Sequence, residues 1–336
     1  MTTNFKVACP IEGNPYDNEG YFPEYNRVIS EIVNFSEKIA FIDIEGVKFR
    51  PKIYKDSREF TKSWRVTGIH PCLILEVDIP DRHDTTEGEK NVMRYKNVFR
   101  VLYQSYYFMA MCQLAYPDSI GSEVLEIYFN DQRYFQGLDM GNYIYNPSWH
   151  FERGWPKFRR VSVLEIYNWL EKKNIDFKKF SSTPAHRALI AFVNLASSNH
   201  YSIEHHMMWS MNGIEALYNT SSDSIVRQIN ERTQLILGQL SGPNNTVKKL
   251  YNWRSQFSHG KLNLLMLYGE ANREETKQNK FYNEVSDQIK LAIHILTASV
   301  QELVLQDKTE FKFPPIMNLR QSVISKLKHL FEHRFF

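Results

Sequence analysis

At 336 residues, with 43% hydrophobic and 14% aromatic side chains, the chain is long enough for two domains and too apolar for an intrinsically disordered protein. Its formal net charge of +3 is too small to establish a nucleic-acid partner unaided. Three cysteines, Cys9, Cys72 and Cys112, have neither metal nor disulfide spacing, which fits reduced thiols in a cytoplasm.

The opening, MTTNFKVACPIEGNPYDNEG, lacks the basic and apolar regions of a signal peptide. Residues 1–180 read as an α+β domain. EKIAFIDIEGVKF, PCLILEVDIP and SEVLEIYFNDQRYF each suit a strand, and NVMRYKNVFRVLYQSYYFMAMCQLAY repeats its apolar residues at the period of a helix. Within that helix, Tyr106 to Tyr116 is the best candidate for a membrane span. It falls short of the roughly 18 to 20 residues required and contains Gln113, so a cytoplasmic protein without membrane contact is expected. Asp43 with Glu45, and Glu76 with Asp78, alternate along strands and so share faces, as metal-binding carboxylates would. No lysine follows in the spacing that nucleases of that kind use, and half-exposed strands show the same alternation. Trp149 and Trp155 fall in a loop-rich stretch, where they could stack bases or anchor the loop. A short basic helix follows around Val161 to Lys173. Lys157, Arg159, Arg160, Lys172, Lys173, Lys178 and Lys179 crowd this segment, either as a solvated face or as a phosphate-attracting surface.

Residues 181–310 read as an all-α bundle. Thr183-Pro184 supplies an N-cap and a first-turn proline. Further helices are expected in IEHHMMWSMNGIEALYN, IVRQINERTQLILG, VKKLYNWRSQFSHG and FYNEVSDQIKLAIHILTASVQELV. His200, Glu204, His205 and His206 are too poorly spaced for a metal site, since only His200 and Glu204 stand four apart. No metal or cofactor is expected. After Pro314-Pro315, the region 311–336 reads as a basic amphipathic helix carrying Arg320, Lys326, Lys328 and Arg334.

The charges that break the apolar pattern are the informative ones. Ile225, Ile229, Arg232 and Ile236 follow one helical stripe, and Glu215 lies four residues after Met211 on the neighbouring helix. Buried charges are costly unless paired, so Glu215 and Arg232 are expected to meet. In the next helix Val247, Leu250, Tyr251, Arg254 and Phe257 again put an arginine on the buried side. His259 follows five residues later, immediately before Gly260, where the end of the helix would let the chain turn it. Histidine both takes and gives protons near neutral pH, while arginine binds phosphate oxygens in a planar fork. Together they contain what RNA cleavage needs without a metal.

LYNWRSQFSHG resembles the signature of HEPN domains, whose arginine and histidine stand four to six residues apart. With MNGIEALYN and INERTQLILG upstream in the same order, the stretch from about Thr183 to Val304 is similar to the Apea-like branch of that family. The resemblance implies an all-α bundle, a homodimer formed through the motif helices, and often a metal-independent ribonuclease leaving 2′,3′-cyclic phosphates. Arg254 and His259 take the catalytic positions. Ser255 occupies the polar position after the arginine, and Glu215 and Arg232 the supporting ones. Family members commonly serve in toxin–antitoxin and anti-phage defence. An antitoxin or a phage-derived trigger, with RNA as substrate, is the expected company, and residues 1–180 would be a sensor or regulatory module. The alternative is a non-catalytic HEPN module that binds RNA, a nucleotide or a protein.

Overall fold

Residues 2–10, 22–38, 42–44, 47–54, 72–80, 107–117, 122–129, 132–140, 155–175, 180–196, 203–218, 225–240, 246–261 and 275–313 are described in the computed structural model of the chain. Six strands lie among them: β1 (Thr2–Pro10), β2 (Ile42–Ile44), β3 (Val47–Tyr54), β4 (Cys72–Pro80), β5 (Ser122–Phe129) and β6 (Gln132–Met140). They form one sheet in the order β2-β3-β4-β1-β5-β6, with every neighbouring pair antiparallel. Two stretches expected as single strands are each two. Ile42 pairs with Phe49 and Ile44 with Val47 across β2 and β3, and Phe129 with Gln132 across β5 and β6. Residues 45, 46, 130 and 131, between the paired strands, lie outside the described residues. Register also answers the paired carboxylates. Asp43 and Asp78 stand opposite Lys48, Glu76 stands opposite Arg50, and the Glu76 carboxylate binds the Lys52 ammonium at 2.9 Å. Glu76 is thus taken up by a cross-strand ion pair. Glu45 lies outside the described residues.

Helix α1 (Phe22–Lys38) was not expected, although Ile29, Ile32 and Val33 carry its period. It packs against β3. Phe35 on α1 meets Phe108 on α2, whose described part is 107–115, at a ring separation of 5.6 Å. Phe35 also meets Tyr167 on α3 (Val163–Lys172) at 5.8 Å. Helix α3 opens with a full capping box, since Ser162 Oγ accepts from the Glu165 N–H and the Glu165 carboxylate accepts from the Ser162 N–H.

The rest of the described chain is all-helical: α4 (Pro184–Ala196), α5 (Ile203–Tyr218), α6 (Ile225–Leu237), α7 (Thr246–Ser258) and α8 (Glu275–Leu305). Thr183 caps α4, its hydroxyl accepting from the His186 N–H. Helix α8 touches α3, α4, α5, α6 and α7. Its stretch Glu284–Leu305, rather than the expected Tyr106 to Tyr116, is the one among the described residues long and apolar enough to cross a membrane by length and composition. Since 89% of the apolar window is buried within the protein, α8 serves as the axis of the bundle. One continuous core runs from Ile32 and Phe108 through Trp169 and Phe192 to Leu296 and Phe311, across the expected boundary at residue 180.

Surface and tail residues fill in the remaining expectations. Arg159 pairs with Glu302, and Lys172 and Lys173 both hold Asp307, at 2.6 and 3.0 Å. Much of the basic cluster is thus neutralised locally, leaving Lys157 and Arg160 exposed; Lys178 and Lys179 lie outside the described residues. Trp155 is an anchor, buried with its indole N–H donating to the Gly238 carbonyl at 2.9 Å. Phe311 and Phe313 follow α8 as an extended segment over Tyr218; 314–336, like Trp149, lies outside the described residues.

Close approach of α4, α5 and α8 depends on Gly213. A Cβ there would stand 2.8 Å from both Leu296 methyls and 3.2 Å from the Ala191 Cβ. Leu296 is fully buried, so the clash has no easy relief. Replacing Gly213 with valine should lower unfolding free energy by at least about 2 kcal/mol in urea titration, the range for overpacked cores. The two lysines hold the Asp307 carboxyl below the usual carboxylate range. Its contribution is therefore present above its unfolded value of 3.8 and lost as pH falls through the lower folded value. Asp307→Asn, which suits the left-handed backbone there (φ 52°), should remove that pH dependence in thermal melts and leave Tm at low pH unchanged.

Candidate functional site

The site is built on α7. Val247 and Leu250 are buried, and Tyr251, Arg254 and Phe257 are half-buried against the core, so the arginine does sit on the inward side of the helix. Its partner is Glu215, which was expected to meet Arg232. Arg254 Nη2 lies 3.4 Å from Glu215 Oε2 on α5, with both side chains about a quarter exposed. Glu215 has no ion pair with Arg232; its contact is to Arg254. Arg232 donates through Nη1 to the Tyr218 carbonyl at 2.5 Å and stacks its guanidinium 4.8 Å from the Phe313 ring. The stripe explains the difference. The buried face of α6 centres on Gln228, Ile229 and Thr233, which puts Arg232 at its edge, where a long side chain reaches along the apolar surface to the end of α5.

The Glu215–Arg254 contact is long for a charge-assisted hydrogen bond, which typically measures about 2.7–2.9 Å. Glu215 Oε1 and Arg254 Nε are both buried without a hydrogen-bond partner. Burial pushes the Glu215 carboxyl above its usual value, and the Arg254 charge pulls it back only in part. An ion pair and a raised carboxyl look contradictory, but one long contact offsets less than the carboxylate loses by its partial removal from water. Glu215 therefore orients the guanidinium without saturating it, since an arginine carries five N–H donors.

His259 is exposed, and its position is set by the end of the helix. Its N–H still donates to the Ser255 carbonyl at 3.0 Å, so the helical ladder includes it. Gly260, at φ 63°, closes the helix in the left-handed conformation, with its N–H on Phe257 O and the Lys261 N–H on Gln256 O. Both bonds define a Schellman cap. The chain thus turns only after His259. Five residues at 100° each place His259 about 140° around the helix from Arg254, so within one chain the two point to different sides. Ser255 is half-buried, and its carbonyl holds His259 in the ladder.

Other reactive groups are occupied elsewhere. Burial pushes the Cys112 thiol up, away from the thiolate that nucleophilic chemistry needs. Tyr218 is buried with its hydroxyl 2.7 Å from Ser299 Oγ, and burial raises its pKa despite that hydrogen bond. His206 is buried, while exposed His205 packs its ring against Trp209 at 6.0 Å. No three His, Cys, Asp or Glu side chains converge among the described residues, and His200 lies outside them.

Because the folded Glu215 carboxyl titrates above its ordinary value of 4.5, its favourable contribution is complete below that value and is lost as pH rises through the folded one. In thermal melts from about pH 4 to about pH 7, the wild type should lose stability relative to Glu215→Gln, and the difference should level off once the carboxyl is ionised. A difference that stays flat across the range would show that the carboxyl is not displaced.

Searches against protein-family models, curated proteins and solved structures return no match to this chain.

Proposed function

We propose that the chain is a metal-independent endoribonuclease of the HEPN type, working as a homodimer through α7. The observation that carries the proposal is the division of labour along that helix. Arg254 is half-buried and braced by Glu215, while His259 stands exposed at a rigid helix cap one turn further on. A braced guanidinium suits stabilisation of a phosphorane, where the donor must already be oriented when charge develops. An exposed imidazole suits proton exchange with a polymeric substrate. His259 takes the 2′-hydroxyl proton as the 2′-oxygen attacks phosphorus, or delivers a proton to the departing 5′-oxygen. Arg254 neutralises the non-bridging oxygens. The products are a 2′,3′-cyclic phosphate and a 5′-hydroxyl. Since Arg254 and His259 face apart in one chain, the constellation is completed by a second copy of α7.

The wider setting follows the same reading. The N-terminal sheet with α1 forms an α+β sensor or regulatory module, and the protein acts in the cytoplasm as a defence or toxin–antitoxin effector. Its activity is released by a phage-derived trigger or restrained by an antitoxin. The divergence of Arg254 and His259 also favours a second reading, a module that binds RNA, a nucleotide or a protein without cleaving.

Purified protein with excess chelator should cleave RNA to 2′,3′-cyclic ends. His259→Ala should reduce the rate at least about 100-fold, the lower range for loss of a general acid–base, without lowering Tm. Arg254→Ala should fall comparably. RNA binding and dimerisation with no product in the wild type would establish the second reading. Equal cleavage by wild type and His259→Ala would place the chemistry elsewhere.

A further inference from the structure

Cleaving RNA through a 2′,3′-cyclic phosphate takes two proton transfers. One proton leaves the 2′-hydroxyl as its oxygen attacks phosphorus, and another reaches the departing 5′-oxygen. His259 can serve only one of them at a time. Helix α5 brings a second imidazole to the same side of the molecule. Its residues His205, Met208, Asn212 and Glu215 follow the 0, 3, 7, 10 spacing of one helical stripe. Two members of that stripe touch α7. Glu215 meets Arg254 at 3.4 Å, and the Met208 sulfur accepts from the Ser258 hydroxyl at 3.7 Å. Moving back along α5 from Glu215 to Met208 thus moves forward along α7 from Arg254 to Ser258. The two helices therefore run antiparallel, with this stripe at their seam. His205 lies three residues beyond Met208, and His259 one residue beyond Ser258. At about 1.5 Å of rise per residue, the two histidines are offset by only about 3 Å along the helices.

Rotation also puts them on one side of the seam. His205 is turned about 60° from Met208 around α5, and His259 about 100° from Ser258 around α7. Seen from one end, antiparallel helices wind in opposite senses, so both turns lead the same way, out of the seam and away from the core. Burial agrees: Met207 and Met211 on α5 and Val247 and Leu250 on α7 are buried, while His205, Asn212, Ser258 and His259 are exposed. Packed helices lie about 8–10 Å between axes, a width that a phosphodiester group reached by a side chain from each helix can span. Half-buried Trp209 steadies the His205 ring, meeting it edge-on at 6.0 Å and 62°.

We infer that His205 is the second proton-transfer group of the ribonuclease reaction, working with His259 across the α5–α7 seam. This inference rests on the RNA-cleavage reading given above. One imidazole, neutral, takes the 2′-hydroxyl proton as the bond from the 2′-oxygen to phosphorus forms. The other, protonated, gives its proton to the 5′-oxygen as the bond from phosphorus to that oxygen breaks. The step leaves the two protonation states exchanged, and solvent water resets them.

The test measures kcat/KM of the full-length protein on a single-stranded oligoribonucleotide against pH, with excess chelator. The wild-type profile should be bell-shaped, because the step needs one imidazole neutral and one protonated. His205→Ala and His259→Ala should each fall at least about 100-fold, and each should lose a different limb of the bell. A histidine that only supports the fold would lower the rate and keep both limbs. Uridine 3′-(4-nitrophenyl phosphate), whose leaving group departs without a proton, should rescue whichever variant lacks the acid and not the other. Full activity in His205→Ala beside an inactive His259→Ala would sink the assignment while the ribonuclease reading stands. A second measurement needs no turnover. Histidine side-chain NMR of the full-length protein, titrated with uridine 3′-monophosphate, should move the His205 and His259 signals along one saturation curve, each assigned by its loss in the alanine variant. Movement at His259 alone would show that the two do not share a phosphate. Joint movement with no cleavage by the wild type would remove the catalytic role and leave a phosphate-binding pair.

Discussion

Helix α8 must bury polar side chains along its length, and the arrangement of the helical half follows from how most of them are answered. From Gln288 to Val304 it is enclosed almost throughout, yet it carries Gln288, His294, Thr297, Ser299, Gln301 and Glu302 in its buried stretch. Thr297 and Ser299 turn their hydroxyls back to carbonyls one turn earlier in the same helix. Ser299 also meets the Tyr218 hydroxyl and so fixes the end of α5. Gln301 reaches in two directions, donating to Leu114 O beyond the middle of α2 and accepting from the Arg159 N–H. An apolar helix of equal length would pack as firmly but could slide or rotate. Paired polar groups admit one register only, because any shift leaves several of them unsatisfied.

The segment after α8 extends this control. Trp169 on α3 donates to the Lys308 carbonyl, and the Ala185 N–H, in the first turn of α4, donates to the Thr309 carbonyl. Phe311 and Phe313 then cover Tyr218, and Phe313 meets the guanidinium of Arg232. Arg232 is thus a brace that ties α6, the end of α5 and the post-α8 segment together. With Arg232 turned to the Tyr218 carbonyl and Phe313, Glu215 is left to Arg254.

The helical half was legible because its signals are local. Caps at Thr183 and Gly260, a proline at the start of α4 and apolar residues at helical spacing all announce themselves within a turn or two. Arg254 stood out as a cation in an apolar stripe, and the structure places it there. The partner of Glu215 was misassigned because pairing depends on the rotation of three helices about one another, which no single helix encodes. The stripe through Ile225, Ile229 and Arg232 was drawn one position away from the buried face, enough to move Arg232 to an edge. Two pairs of strands read in sequence as single strands because only two residues, Glu45-Gly46 and Asn130-Asp131, separate the members of each pair and interrupt the apolar alternation only briefly.

Helix α7 therefore has two sides that make opposite demands. On one, Arg254 is held inward by a carboxylate that burial makes reluctant to ionise. On the other, amides, an indole and a lysine line an open cleft along the stripe that ends at His259. On the proposed reading, a substrate on that side of one chain would meet the imidazole of the same chain and not its guanidinium. If phosphate is to meet both, the arginine must come from a second α7 brought alongside, and the half-satisfied Glu215–Arg254 contact is then an advantage. A saturated bidentate pair would hold the guanidinium too firmly to share. A single long contact orients it while leaving N–H donors for an incoming oxygen. Pairing and catalysis would in that case be one event, with the isolated chain inert because its two reactive groups look away from each other.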